Sequence, residues 1–180
     1  MQVEGVKCGI EALQNQSQVD QLIIITAIRK LLATTYAQDY GKILRETSIM
    51  SVIDTILSLD PNDEYHYHMR MEALWMLTTF TSIDDVEDLR IVFLSQYGDS
   101  ELIEDPELAK KDVDENRSTV LSKLNEVFMG IQFSSFEDID MKTLEMCLIF
   151  VYNILEEEEI DFTDKLMEET CFFSSLLVMA

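Results

Sequence analysis

Apolar residues recur at a helical spacing over long stretches of this chain, and few residues interrupt them. Between Val19 and Tyr36 they stand at positions 19, 22, 23, 27, 28, 31 and 32, a spacing that predicts an amphipathic helix. Only five Gly and two Pro occur among 180 residues, which is sparse for a β protein with its many tight turns. The chain is therefore expected to be all-α, with long helices joined by short polar loops.

The same patterning predicts further helices along the chain. Residues 1–17 are weakly patterned and are interpreted as a short helix or a loose lead-in. Asp60-Pro-Asn-Asp63 is a strong turn signal whose last residue can cap the next helix, and Asp138 or Asp140 can cap a later one. Thr47 and Ser48 can do the same for the helix that follows them. The expected helices after the first long one cover 39–46, 49–59, 64–82, 84–94, 118–131, a long one ending near 158, and a short pair within 162–180.

The charge balance limits the kinds of partner. The chain carries 35 acidic and 13 basic side chains, a formal net charge of −22. Phosphate binding needs clustered Lys and Arg, so neither a nucleic acid nor an anionic membrane is an expected partner. The apolar run 22–25 is far too short to span a bilayer. A basic protein would be attracted in a salt-sensitive way, although acidic side chains also serve solubility alone.

No residue pattern points to chemistry. The three cysteines, Cys8, Cys147 and Cys171, form no Cys-x-x-Cys pair, so free and mostly buried thiols are expected. His66 and His68 are two residues apart and diverge on a helix, which argues against a metal pair. The sequence also shows no nucleophile with a histidine base beside it and no glycine-rich phosphate-binding loop. We therefore expect a protein that is not an enzyme and that holds no metal or cofactor.

The only tryptophan lies in the stretch 71–82. On a helix, Trp75 shares a face with Glu72, three residues before it, and Thr79, four residues after it. The residues that belong to another face are Leu74, Leu77 and Thr78. A strip with one large aromatic side chain and short polar or acidic neighbours suits the binding of an extended peptide. The alternative is that Trp75 belongs to the core.

This stretch resembles the third helix of an armadillo repeat in importin-α, which reads roughly Glu-Ala-x-Trp-x-Leu-Thr-Asn. The matching residues are Glu72, Ala73, Trp75, Leu77 and Thr78, whereas Thr79 stands where that family has asparagine. The resemblance covers roughly 22–94 and begins at Ile28-Arg-Lys-Leu-Leu32, which is similar to the family's Ala-Arg-Lys-Leu-Leu. It implies a short armadillo/HEAT-like right-handed helical solenoid.

An internal comparison extends the resemblance. Residues 145–155 can be laid on the tryptophan helix so that Asn153 matches Thr79 and Ile149 matches Trp75. The separation of 74 residues is one armadillo period of about 40 plus an insertion. The chain is thus interpreted as a single armadillo-like domain over 1–180. Its expected parts are a lead-in (1–17), the best-matching repeats (18–94), an acidic loop (95–117) and a divergent repeat with a partial one (118–180).

The resemblance also implies roles for particular side chains. Trp75 would stack on lysine stems, Asn153 would clamp a peptide backbone, and acidic residues beyond the helix ends would meet basic side chains. The acidic residues could equally be solvated helix ends. The expected peptide-binding residues are Glu72, Trp75, Thr79, Asp84, Asp85, Asn153, Glu156 and Glu157.

Two functions follow as expectations. The first is a non-enzymatic adaptor that binds a basic extended segment, in the family's case a nuclear-localisation signal for protein transport, in the cytoplasm and/or nucleus. Residues 1–20 hold only one basic side chain, Lys7, so the family's basic segment that recruits importin-β is not expected here. The alternative is a scaffold subunit of a larger assembly, docked through the apolar residues 162–180 and without a transport role.

Overall fold

The computed structural model describes residues 2–81, 120–130 and 140–156, and this part of the chain is all-helical. The expected all-α class is therefore confirmed for the described residues, which contain no strand. The helices are α1 (Gln2–Ala12), α2 (Gln18–Ala33), α3 (Ala37–Glu46), α4 (Ile49–Leu57), α5 (Glu64–Phe80), α6 (Val120–Gly130) and α7 (Met141–Leu155).

Most of the expected helices are present, with ends that differ by a few residues. The first segment is the regular helix α1, so it is not a loose lead-in. The run from α2 to α5 has the expected order of a long helix, two short helices, a turn and a long helix. The predicted helix over 84–94, the acidic loop over 95–117 and the helix pair within 162–180 lie outside the described residues.

Aspartates cap the two helices for which the sequence predicted them. The Asp63 side chain accepts a hydrogen bond of 3.0 Å from the backbone N–H of His66 at the start of α5. Asp140 caps α7 and accepts from the backbone N–H of Thr143 at 3.1 Å. The other candidate, Asp138, lies outside the described residues. Such caps satisfy amide groups that have no partner inside the helix. At α4, Ser48 makes no side-chain cap bond, whereas the hydroxyl of Thr47 accepts from the backbone N–H of Ile49 at 3.3 Å.

Three helices, α2, α5 and α7, run parallel to one another. Between α2 and α5, Gln18 pairs with His66 near the beginnings of both helices, and Thr26 pairs with Glu72 further along. Between α5 and α7, the hydroxyl of Tyr67 donates to Asp140 near the start, and Asn153 donates to Thr81 near the end. In each case residues further along one helix meet residues further along the other, which fixes the parallel direction.

Helix α5 forms the centre of this arrangement and is buried over most of its circumference. It packs against α2, α4 and α7, and its side chains contribute to a hydrophobic core that all the described helices share. The buried residues of α5 are Met69, Met71, Ala73, Leu74, Met76, Leu77, Thr78 and Phe80. The core also contains Cys147, as expected, whereas Cys8 is exposed, contrary to the expectation of mostly buried thiols.

Asp140 joins helix capping to helix packing, because its carboxylate serves both. It accepts from the Thr143 backbone N–H and from the Tyr67 hydroxyl, each at 3.1 Å. Burial and the nearby Asp140 carboxylate raise the pKa of Tyr67, so its hydroxyl keeps the proton that it donates. We expect Asp140→Ala to lower the free energy of unfolding by about 1–2 kcal/mol, through the lost cap and the lost interhelical bond.

Urea unfolding of Asp140→Ala and Tyr67→Phe separates these two contributions. Tyr67→Phe removes the interhelical bond and leaves the cap, so it should cost less than Asp140→Ala. Equal losses in the two variants would mean that the cap adds nothing to stability.

Candidate functional site

Trp75 lies on the solvent side of the central helix. Its side chain is 45% exposed, while Leu74 and Leu77 are buried, so Trp75 is not part of the described core. The residue three positions before it, Glu72, is bonded to α2, and the residue four positions before it, Met71, contacts Thr143 of α7. Since positions i−3 and i−4 flank a helical residue on its two sides, the indole projects between α2 and α7.

Glu72 already has partners within the fold. The guanidinium Nε of Arg29 donates to Glu72 Oε2 in an ion pair, and the hydroxyl of Thr26 donates to Oε1 at 3.3 Å. The ion-paired side chains are only 25% and 21% exposed. Both carboxylate oxygens are therefore held on the α2 side of Trp75. The sequence did not assign Arg29 any role, because its partner lies 43 residues away on another helix.

Thr79, in the position of the family's asparagine, is partly exposed on the same side as Trp75. Its hydroxyl donates to the backbone carbonyl of Trp75 at 2.9 Å, and the hydroxyl of Thr78 donates to the same carbonyl at 2.9 Å. The single hydroxyl hydrogen of Thr79 is thus used inside α5. Toward a ligand it would act as an acceptor, unlike an amide, which both donates and accepts.

Asn153 links α7 to the end of α5. Its side-chain Nδ2 donates to Thr81 Oγ1 at 2.8 Å, and Thr81 in turn donates to the carbonyl of Thr78 at 2.8 Å. The sequence predicted that Asn153 would clamp a peptide backbone. One of its two amide hydrogens is instead used in the bond to Thr81 that joins the helices. The remaining amide hydrogen and the carbonyl oxygen are the groups that could serve a ligand.

The acidic residues beyond the helix ends are described only in part. Glu156 is exposed at the end of α7. The hydroxyl of Tyr152 donates to its carboxylate, and this bond raises the pKa of Tyr152. Three other acidic residues were predicted to meet basic side chains of a peptide. They are Asp84, Asp85 and Glu157, and they lie outside the described residues.

The parallel helices bring several of these side chains to one surface, here named the three-helix face. The three-helix face is made of residues spaced three or four apart on each helix. Their side chains point away from the core and toward the side of Trp75. The face includes two exposed hydrophobic side chains from neighbouring helices, Trp75 on α5 and Ile149, which is 38% exposed, on α7. The face comprises Ile23, Thr26, Lys30, Glu72, Trp75, Thr79, Lys142, Ile149, Asn153 and Glu156.

The charges of the three-helix face are mixed within the described residues. Lys30 and Lys142 accompany Glu72 and Glu156, and the charge of Glu72 is offset by Arg29. The acidic excess of the whole chain is therefore not concentrated on the described part of this face. The apolar surface of Trp75 and Ile149 is its most distinctive feature.

A second apolar surface lies on the side of α7 that faces away from α5. A shallow groove there is lined by α7 side chains. Several of them are strongly exposed, including Met141 at 62% and Tyr152 at 59%. The groove residues are Met141, Lys142, Leu144, Glu145, Leu148, Ile149 and Tyr152. Lys142 and Ile149 also belong to the three-helix face, so the two surfaces meet along α7.

The described residues offer no arrangement suited to metal binding, and the buried thiol of Cys147 is not activated. They contain no group of three or more His, Cys, Asp and Glu side chains that could hold a metal ion. Burial raises the pKa of Cys147 to about 12, so this thiol stays protonated and is a poor nucleophile. Within the same ranges, no helix has the length and apolar character needed to cross a membrane.

Comparison with known proteins gives no relative. No protein-family model, no curated protein and no solved structure matches this chain.

Proposed function

We propose that this chain is a non-enzymatic, importin-α-like adaptor that binds a basic, extended protein segment along the three-helix face. The observation that supports this most is the exposed indole of Trp75 on a helix that is otherwise largely buried. A large aromatic side chain at the centre of a surface is a favourable anchor for a protein partner. The proposal requires neither a cofactor nor a metal.

The surroundings of Trp75 favour a partner side chain with a long aliphatic stem and a positive end. The stem can lie on the indole and against Ile149, and a cation over the indole face is attracted by the ring. Glu72 is one helical turn away and is the nearest acidic position on α5. Lysine and arginine both have this combination of stem and charge.

The parallel arrangement of α2, α5 and α7 supports an armadillo-like right-handed solenoid as the architecture of this adaptor. In such a solenoid, the third helices of successive repeats lie side by side and line one surface. The partner segment would cross these helices in extended form. A nuclear-localisation signal is the cargo that the importin-α resemblance suggests, and the cytoplasm and nucleus are the corresponding compartments.

We expect Trp75→Ala to weaken the binding of a lysine-rich peptide by about 2- to 30-fold, the range that corresponds to a cation–π contact. Fluorescence anisotropy of a labelled peptide measures this at low and moderate salt. Affinity should fall as salt rises, because the attraction is partly electrostatic. Intrinsic fluorescence of the wild-type protein gives a second readout, since Trp75 is the sole tryptophan.

Tyr36→Ala is the matched control. Tyr36 is an aromatic residue that is 73% exposed at the start of α3, and it is not part of the three-helix face. Its replacement should leave the affinity unchanged. If both variants lose the same affinity, or if neither loses any, the peptide does not bind at Trp75.

The apolar groove on the far side of α7 favours a second candidate function, a scaffold subunit of a larger assembly. Exposed residues such as Met141 and Tyr152 would be covered by a protein partner there, and residues 162–180 could take part in the same contact. Sedimentation of the isolated protein distinguishes the two functions. A stable monomer that binds the peptide supports the adaptor, whereas self-association without peptide binding supports the scaffold.

A further inference from the structure

We propose that Arg29 competes with an incoming cation for the Glu72 carboxylate beside Trp75, and that it thereby lowers the affinity for a basic partner. This inference rests on the proposed function and concerns the regulation of the same site. Glu72 is the acidic position nearest to Trp75 on α5, and its carboxylate is bonded to Arg29 instead of facing solvent alone. An incoming cation would have to share or displace this contact.

Both oxygens of the carboxylate are engaged. Arg29 donates to Oε2, and Thr26 donates to Oε1 at 3.3 Å. An ionised carboxylate has about four acceptor positions, so a further donor can approach, but the positive charge of Arg29 remains beside it. Like charges close together repel each other, and therefore each cation that enters binds less tightly than it would with Arg29 absent.

The position of the ion pair makes this effect stronger than on an open surface. Arg29 and Glu72 are 25% and 21% exposed, so water screens their charges only in part. Because the pair joins α2 to α5, it also holds the carboxylate toward α2 and away from the middle of the three-helix face. Arg29 thus acts on both the charge and the orientation of Glu72.

The test compares Arg29→Gln with Lys42→Gln, which removes one positive charge from α3, outside the three-helix face, and leaves the bond between Arg29 and Glu72 intact. Both proteins are titrated with the same labelled lysine-rich peptide at low salt. Arg29→Gln should bind about fivefold more tightly than Lys42→Gln, the upper end of what a partly exposed ion pair contributes. The gain should disappear in the double variant Arg29→Gln/Glu72→Gln, because the released carboxylate is then absent.

The outcomes separate this inference from the proposed function. If wild type, Arg29→Gln and Lys42→Gln bind equally well, Arg29 is only a structural link between helices. The adaptor function then stands, and Arg29 does not compete with the partner. If none of the three binds, the proposed function fails and the inference fails with it. Should Arg29→Gln not fold, Arg29→Met keeps the unbranched stem, and its comparison with Lys42→Met decides by the same criterion.

Discussion

Replacing Phe80 with alanine is expected to lower the free energy of unfolding by about 3–5 kcal/mol. Phe80 is fully buried at the end of α5. The ring of Tyr40 packs edge-on against it, with ring centroids 5.8 Å apart and an angle of 83°. The Tyr40 hydroxyl also donates to the carbonyl of Leu32 at 3.1 Å, so the tyrosine is held in place and cannot move to fill the space. The cavity left by the substitution therefore persists.

Urea unfolding followed by far-UV circular dichroism measures this loss. Trp75→Ala is the matched control, because it removes an even larger aromatic side chain from the same helix. Since Trp75 is 45% exposed, its replacement should cost only about 1–2 kcal/mol. A larger loss for Trp75→Ala than for Phe80→Ala would place the tryptophan in the core and contradict its assignment to the three-helix face.

The helices and their caps could be predicted from the sequence because they depend on local spacing. The apolar positions of α2 and the turn before α5 are recognised from neighbouring residues alone. Asp63 and Asp140 cap their helices as local chemistry indicates. The separation of Trp75 from the buried Leu74 and Leu77 likewise follows from the helical period.

The contacts between helices could not be predicted in the same way. The pairing of Arg29 with Glu72 depends on the register between α2 and α5, which no local pattern specifies. The same is true of the bond from Asn153 to Thr81, which connects residues 72 positions apart. Helix α5 adds a second difficulty, because it is buried on most sides. Its apolar residues define no single stripe, so the sequence could not show which neighbours it packs against.

Helix α1 contains two glycines whose spacing was visible in the sequence but was not used to predict helix packing. Gly5 and Gly9 are four residues apart and therefore lie on one side of the helix. A Cβ atom built on Gly9 would lie 2.8 Å from Ile28 Cγ1 of α2, and one built on Gly5 would lie 2.9 Å from Leu31 Cδ2. The two glycines allow α1 to approach α2 closely. This close contact turns the weakly patterned first segment into a packed helix.

Gly9→Leu is consequently expected to lower the free energy of unfolding by about 2–3 kcal/mol through overpacking. The nearest atom, Ile28 Cγ1, belongs to a buried β-branched side chain with little rotational freedom, so relief requires α1 to move away from α2. This cost outweighs the gain of about 1 kcal/mol in helix propensity over glycine. Gly130→Leu makes the same exchange in α6, where a Cβ would meet no atom within 4 Å, and it should change stability by less than about 0.5 kcal/mol. Comparable urea midpoints for the two variants would show that α1 does not pack on α2 through Gly9.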